Sequence, residues 1–531
     1  MSRLRAILMW LAIGAAGCAS VEPAGRSAEP PFVGPDSSDF PPPASDLVAP
    51  SSRPVVGMNG SEPSRGGAVA AAGAMQPEEV AEEIPLGRPN NVLQLEQVVD
   101  SVRRSFPLLE AALLTRDTAW GEHLAAQGAF DLKLKGATEN GPFGFYQTYR
   151  QSIGVEQPTY GGGALFGGYR VGRGNFQPWY GERQTDDGGE FRVGMAVPLA
   201  RNANIDARRA QLWRTDLDRQ LAEPEIRLQL LDYVRAASYA YWDWVAAGHR
   251  YQIAASLLKI AQDRNEAIRR KVETGDTDPP VLQDNRRLIV SREAKLIEAQ
   301  RKRQQAAIKL SLFYRDDRGE PLVADDGQLA EFPAPQTVAE EALAADIQAA
   351  LENRPELLAL NLRQRQLQID FDEARNDLLP EIQAVIAGSQ DVGAPASSKK
   401  DKSQYELEAG MFLDVPAQRR KGRGKMTAVR SKLEQLAAKR RMTANKIAVD
   451  VQNVYAALMA AYQQIERAHE SAELADRLAE IERRKFELGE SDLLSVNLRE
   501  QQAAEAEGTE VDAMYDYFVA GADYRATLAR D

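Results

Sequence analysis

The sequence RRKFELGESD at residues 483–492 occurs a second time in this chain, as RRKVETGDTD at residues 269–278. Six of the ten positions are identical, and two more exchange Asp for Glu and Thr for Ser. In each copy a glycine stands where a long helix-forming run would stop. Tyr241 and Tyr455 each lie 28 residues before the first arginine of their copy. A matched motif at a matched distance indicates an internal duplication whose unit is a long helical hairpin, with the motif at its tip.

The runs around both motifs predict very long helices. One extends from about 205 to 274 and returns over about 280–313; the other extends from about 421 to 488 and returns from about 493. A continuous helix over 421–488 would be about 100 Å long. Apolar residues spaced 4-3-4-3-4 predict helix-on-helix packing with supercoiling. These seams are Ile226, Leu230, Tyr233, Ala237, Ala240 and Trp244; Ile447, Val451, Val454, Leu458, Ala461 and Ile465; and Ala504, Gly508, Val511, Tyr515, Phe518 and Ala522.

Alternating apolar residues predict strands before each long helix, within about 129–200 and about 380–416. The Gly-rich stretch 160–170 has no Gly-Lys-Ser/Thr after it, so a curved sheet or barrel wall suits it better than a phosphate loop. Shorter helices are predicted at about 94–104, 107–127, 338–352 and 355–377. We count about two strands in each half. Four strands cannot close a barrel, so their edges stay exposed unless copies of the chain assemble.

The N-terminus predicts export and lipid anchoring. Residues 1–17 combine a basic start, an apolar run and small residues before Cys18, the only cysteine of the chain, and they form a signal peptide. The position of Cys18 after Ala-Ala-Gly resembles a bacterial lipobox, in which that cysteine is acylated. Residues 18–91 are rich in Pro, Gly and Ser and predict a disordered tether. No stretch reaches the roughly 18 apolar residues of a membrane-spanning helix.

Composition and motifs argue against enzymes and nucleic-acid binding. The formal charge of −12 becomes −14 when Arg3 and Arg5 leave with the signal peptide, whereas nucleic-acid binding requires a basic surface. His123, His249 and His469 are far apart in helical runs. There is no His-Glu-x-x-His, cysteine cluster or Gly-x-Ser-x-Gly, so we predict no catalytic site, no metal site and no cofactor.

The order of helices, strands, long helix, tip and helix, given twice after a lipobox, resembles the outer-membrane efflux protein (TolC-like) family over about 92–528. Local sequences support the resemblance: Arg354-Pro355-Glu356-Leu357 at a helix start, and Val197-Pro198-Leu199 and Val415-Pro416 where strands lead into long helices. The two repeats would be 92–325, with its tip near 275, and 326–531, with its tip near 489.

The resemblance implies a mainly α fold with a membrane β-barrel contribution. Duplicated coiled-coil hairpins would form an α-barrel, and four strands per protomer would complete a trimeric twelve-stranded β-barrel. The protein would be a lipid-anchored duct in the outer membrane that extends into the periplasm. It would serve a tripartite efflux pump or a type I secretion system, together with a periplasmic adaptor and an inner-membrane transporter. The exported substrate (a drug, a metal or a polypeptide) is selected upstream.

The resemblance also suggests which residues act at the tips. The positions of the family's adaptor-docking tips are Lys271, Gly275, Thr277, Lys485, Gly489 and Ser491, although a helix cap and a turn explain the same residues. The family often has an acidic ring just past the second tip, but Ser495 and Leu498 occupy those positions here. A gate could be built instead from Asp276, Asp278, Asp284, Glu490 and Asp492, which are otherwise solvated surface acids.

The alternative is a periplasmic adaptor or another exported coiled-coil scaffold. An adaptor typically carries one hairpin flanked by a split β-domain. This chain has two hairpins at equal spacing, each preceded by its own strands, which favours the duct.

Overall fold

Nine α-helices and six β-strands make up the described part of the chain, residues 92–176, 184–396 and 405–530, in the computed structural model. The signal peptide, Cys18 and the tether lie outside these residues. The helices are α1 Leu95–Ser105, α2 Pro107–Leu113, α3 Thr115–Gln127, α4 Ala207–Glu273, α5 Pro279–Leu310, α6 Ala342–Asn353, α7 Pro355–Asn376, α8 Arg420–Leu488 and α9 Leu493–Thr527. The strands are β1 Lys133–Gly141, β2 Thr148–Pro158, β3 Ala164–Gly174, β4 Glu190–Pro198, β5 Glu381–Asp391 and β6 Glu406–Asp414.

The two long helices are continuous, and α4 runs through Pro224, where the sequence predicts a kink or a helix start. Helix α4 has 67 residues and α8 has 69. Each follows a strand and is followed by a shorter partner helix, so the order of elements in the first half recurs in the second.

The six strands form one antiparallel sheet in the order β1-β2-β3-β4-β5-β6. The prediction of four strands per protomer is therefore wrong, and with it the count of twelve for three copies. The first half contributes four strands rather than about two. One of the two additional strands is β3, which coincides with the Gly-rich stretch, whose glycines hide the alternation that marks a strand.

Glycines allow β2 and β3 to approach closely at the centre of the sheet. A Cβ atom at Gly154 would lie 2.8 Å from the carbonyl oxygen of Gly167, and one at Gly168 would lie 2.8 Å from that of Ile153. Both contacts are too short for any side chain. The glycines that hide β3 in the sequence are therefore the residues that allow it to pair with β2.

Two hydrophobic cores lie among the helices, one per half. The first centres on buried Trp244 and Val245 of α4, and the second on Ile447 and Val451 of α8. The predicted seam of α8 falls in the second core, and the predicted seam of α4 falls in the first core except for Ile226, which is buried elsewhere. On α9, Tyr517 belongs to the second core, whereas Phe518 packs against both.

The duplicated tyrosines have matching roles. The Tyr241 hydroxyl donates to the carbonyl oxygen of Leu93 at 2.9 Å, just before α1. The Tyr455 hydroxyl donates to that of Val338 at 3.4 Å, just before α6. Each tyrosine ties its long helix to the segment that begins its half.

Candidate functional site

The two tips share one helix-ending geometry. Gly275 and Gly489 have φ of +82° and +79°, in the left-handed region that favours glycine. In the first tip the amide of Asp276 donates to the carbonyl oxygen of Lys271 at 2.8 Å, and that of Gly275 to Val272 at 3.2 Å. The amides of Glu490 and Gly489 donate to Lys485 and Phe486 at the same two distances. Both tips are Schellman motifs, so the duplicated glycines end their helices in the same way.

The candidate docking side chains differ between the tips. Lys271 is half-buried, with its Nζ 5.7 Å from the centre of the Phe486 ring, a cation–π distance that joins the first tip to the second. Lys485 is exposed, and Ser491 donates a hydrogen bond to Glu482 of α8. Thr277 is half-buried in the first turn. Among the candidate lysines, Lys485 is the accessible one.

The candidate gate acids are all exposed, but they do different work. Asp276 accepts a hydrogen bond from the Thr274 hydroxyl at 2.8 Å. Asp492 caps α9 by accepting from the Ser495 amide at 2.7 Å, and this backbone hydrogen bond lowers the pKa of the Asp492 carboxyl. Asp278, at the matching position of α5, makes no such capping bond with its side chain. Asp492 is thus the acid whose structural role is clearest.

Exposed leucines distinguish the second tip. Leu488, Leu494 and Leu498 are 70%, 78% and 55% exposed. The matching positions of the first tip hold Thr274, Pro280 and Asp284. The sequence contained this difference, but periodicity alone does not tell an exposed leucine from a buried one.

A buried cluster of charges joins all four long helices near the tips. Glu500 of α9 is fully buried and forms ion pairs with Arg264 of α4 and Arg292 of α5, the latter at 3.0 Å. Arg483 of α8 approaches the same carboxylate at 3.4 Å. Burial lowers the pKa of the Arg292 guanidinium, and the hydrogen bond to Glu500 opposes that shift. Sequence reasoning missed this cluster because its members are spread over more than 200 residues.

A cavity of about 430 Å³ lies between this cluster and the tips. Its lining includes Ile260, Arg264, Lys271, Phe486 and Val496, so both hairpins contribute to it. The two hairpins therefore share this cavity near their tips.

The two faces of the sheet differ sharply in polarity. Residues paired across antiparallel strands share a face, and one cross-strand line joins Leu134, Val155, Val193 and Leu407. Exposure on this apolar face reaches 74% at Leu134 and 69% at Val193. Its exposed large apolar side chains are Leu134, Tyr149, Ile153, Val155, Leu165, Phe191, Val193, Met195, Val197, Ile386, Leu407, Met411 and Leu413.

The opposite face carries every charged residue of the six strands except Arg173. Some of these charges pair across strands. Arg170 lies 2.6 Å from Glu190, and Arg192 lies 2.5 Å from Glu408. A sheet with an exposed apolar face and a charged face needs a different medium on each side.

The three histidines lie apart from one another. His123 contacts the Thr215 hydroxyl at 3.1 Å, His249 the carbonyl oxygen of Ala330 at 3.1 Å, and His469 the Glu510 carboxylate at 2.7 Å. No group of three or more metal-ligating side chains occurs within 92–176, 184–396 and 405–530. In the same residues, no helix has the length and apolarity to cross a membrane.

Comparison with known proteins identifies the fold. The sequence model of the outer membrane efflux protein family matches residues 347–528. The chain is similar to the outer-membrane channel OprN, with 14% identity and a TM-score of 0.59 over 82% of this chain and 90% of that one. It is similar to the outer membrane protein VceC from Vibrio cholerae, with 14% identity and a TM-score of 0.57 over 82% of this chain and 96% of that one. It is also similar to the CmeC outer membrane channel from Campylobacter jejuni, with 14% identity and a TM-score of 0.55 over 82% of this chain and 85% of that one. No curated protein sequence matches the chain.

Proposed function

We propose that this protein is an outer-membrane exit duct, because the sequence model of the outer membrane efflux protein family matches residues 347–528 and the fold is similar to those of solved outer-membrane channels. The observation that carries the proposal is the two-faced sheet. Its apolar face suits lipid, and its charged face suits a water-filled lumen. Its strands have nine to eleven residues, the length that a tilted strand needs to cross a bilayer.

The long hairpins would extend from the sheet into the periplasm. Three copies would place their α4–α5 and α8–α9 hairpins side by side as a helical tunnel, with six tips around its mouth. An inner-membrane transporter would supply the energy, in a tripartite pump or a type I secretion system. Cys18 would anchor the chain to lipid through the 18–91 tether, and the repeats would be 92–325 and 326–531.

Single-channel recording in a planar bilayer tests this function directly. The purified protein should give stepwise conductance and should fractionate with the outer membrane. A periplasmic adaptor or scaffold gives neither, so recovery as a soluble periplasmic monomer would overturn the proposal. Metabolic labelling with a radioactive fatty acid tests the anchor, because Cys18→Ser should abolish the label.

The tips would dock a periplasmic adaptor, with Lys271, Gly275, Thr277, Lys485, Gly489 and Ser491 at the contact. Lys485 is the best probe because it is exposed. A photo-crosslinking amino acid at Lys485 should capture a coiled-coil adaptor, identified by mass spectrometry. The control is the same probe at Lys439, which is exposed on the same helix far from the tip. Equal capture of the adaptor at both positions would contradict docking at the tips.

The acids at the tips would form a cation-favouring mouth, since three-fold repetition brings like charges near one another. Asp276, Asp278, Asp284, Glu490 and Asp492 are the candidates. Changing Asp276, Asp278, Glu490 and Asp492 together to the corresponding amides should reduce cation preference, measured as the reversal potential in a salt gradient. Asp492→Asn alone serves as the control for loss of the α9 cap. Unchanged selectivity in the quadruple variant would exclude this ring.

A further inference from the structure

The sheet has two free edges within the described residues, β1 on one side and β6 on the other. Unpaired strand edges expose backbone donors and acceptors that another strand can satisfy. All five pairings are antiparallel, so β1 and β6 run in opposite directions. The β6 edge of one copy can therefore pair with the β1 edge of the next and continue the antiparallel order.

The strands are staggered along the sheet. The cross-strand line that begins at Lys133 passes through Glu156, Phe166, Gly194 and Ala387 and ends at Glu408. Strand β6 continues six residues past Glu408 on the side of the helices, to Asp414. Strands β4 and β5 shift in the same direction. In a β-barrel, a progressive shift of this kind is called the shear, and it is present because the strands tilt relative to the barrel axis.

The two edges fit each other along their whole length. Each has nine residues. If Lys133 pairs with Asp414 of the next copy, Gly141 pairs with Glu406, and no residue of either strand is left over. With this pairing, strand β1 of the next copy begins at the same level as strand β1 of the first copy, because the pairing offsets the six-residue stagger. Lys133 and Asp414 are the helix-side ends of their strands, so the full overlap also keeps these ends of the two strands together.

The side chains agree with this register. Lys133 would face Asp414 on the charged face, and Leu134 would face Leu413 on the apolar face. One like-charged pair arises, Glu139 with Glu408. Each already has an arginine neighbour, Arg150 at 3.5 Å and Arg192 at 2.5 Å. Cross-strand pairs of opposite charge and of apolar residues stabilise a sheet.

We propose that copies of this chain join through β6 and β1 with Lys133 opposite Asp414, and that three copies close an eighteen-stranded barrel. The proposal rests on the duct function above. A shift of six residues for every six strands makes the shear number equal to the number of strands. In an eight-stranded barrel this equality gives a strand tilt of about 36°, which lies within the range of membrane barrels. At a strand spacing of about 4.8 Å, eighteen strands give a diameter of about 34 Å and twelve about 23 Å. The lumen would have about twice the cross-section of a twelve-stranded barrel.

Engineered disulfides test the register, because Cys18 is the only natural cysteine. We use two adjacent pairs, Ala137→Cys with Gly410→Cys and Thr138→Cys with Ala409→Cys. Hydrogen-bonded and non-hydrogen-bonded pairs alternate, so one of the two has the closer spacing. The matched controls are Lys133→Cys with Glu408→Cys and Leu134→Cys with Leu407→Cys, which would pair only without stagger. Each single-cysteine variant is run alongside.

The expected result is a band of three chains on non-reducing gels of outer membranes for at least one staggered pair, and no such band for the unstaggered pairs. The band should disappear on reduction. Cross-linking of the unstaggered pairs alone would overturn the register. Absence of cross-links in all four pairs would overturn the edge-to-edge contact.

Conductance of the same variants separates this proposal from the duct function. Stepwise conductance without a cross-link overturns the eighteen-stranded barrel and leaves the duct in place. If neither conductance nor a cross-link is found, the duct itself has failed. A three-chain band together with conductance supports both.

Discussion

Replacing Glu500 by Gln tests the buried charge cluster that joins the four long helices. The substitution preserves shape but removes the negative charge between Arg264 and Arg292, whose side chains are 9% and 5% exposed. Removing one partner of a buried ion pair costs about 3–5 kcal/mol, because the other charge stays buried without compensation. Arg483 is 34% exposed, so water screens its attraction to Glu500.

The cost should appear as easier local opening of the hairpins near the tips. Hydrogen exchange of detergent-purified protein measures that opening. Amides near Arg292 in α5 and near Glu500 in α9 should exchange at least about 100-fold faster in E500Q, since each 1.4 kcal/mol corresponds to about tenfold. Amides in the core around Trp244 should be unaffected.

The matched control is Glu505→Gln on the same helix, where the side chain is exposed and hydrogen-bonded only locally, to Gln501 at 2.8 Å. Unchanged exchange in E500Q, or equal acceleration in both variants, would refute the reasoning. In that case the buried arginines would be stabilised by something other than Glu500.

Three further predictions concern the tips, the hairpin and the strand–helix junction. Gly489→Ala should lower stability by about 1–2 kcal/mol in thermal unfolding followed by circular dichroism, because the positive φ of Gly489 disfavours a side chain. The control is Gly121→Ala in α3, which has open space around it and should instead raise stability by about 1 kcal/mol, because alanine favours a helix more than glycine does. The hydrogen bond to Glu510 raises the pKa of His469 above 6.5. The contact therefore stabilises the protein below pH 6.5, and this stabilisation is lost as pH rises through the folded-state pKa. Thermal unfolding midpoints of His469→Gln should lack that pH dependence, and a pH profile identical to that of the unmodified protein would contradict the prediction. Burial alone would raise the pKa of Asp377, but Lys425 and Arg201 lower it below 3.8. The ion pairs of Asp377 therefore stabilise the protein above pH 3.8, and this stabilisation is lost as pH falls through the folded-state pKa. Asp377→Asn should lower the free energy of unfolding by about 2 kcal/mol at neutral pH and should not change it in strong acid.

Local signals predicted the helices well. The ends of α8 and α9 follow from Gly489 and from Asp492, which caps the next helix. The duplicated motif predicted two tips of the same structure, and the two backbone hydrogen bonds of each tip have the same lengths, 2.8 and 3.2 Å.

Signals that depend on distant residues were lost. Strand β3 was not counted because Gly154 and Gly168 contribute to pairing through the absence of a side chain, which no hydropathy pattern records. The Glu500 cluster was missed for a different reason. Helix periodicity assigns a charged residue to the solvent side, whereas Glu500 is buried where α9 meets Arg264 of α4 and Arg292 of α5.

The position of Phe518 has a consequence for biogenesis. Its ring stacks on Trp242, with centroids 4.1 Å apart, and so the last helix of the chain completes the hydrophobic core of the first half. A nascent chain that has emerged only as far as α8 cannot bury Trp242 in its final surroundings. Completion of the first core must therefore wait for synthesis of α9. Until then an incomplete chain exposes an aromatic surface, a feature by which chaperones and proteases can distinguish truncated copies from finished ones.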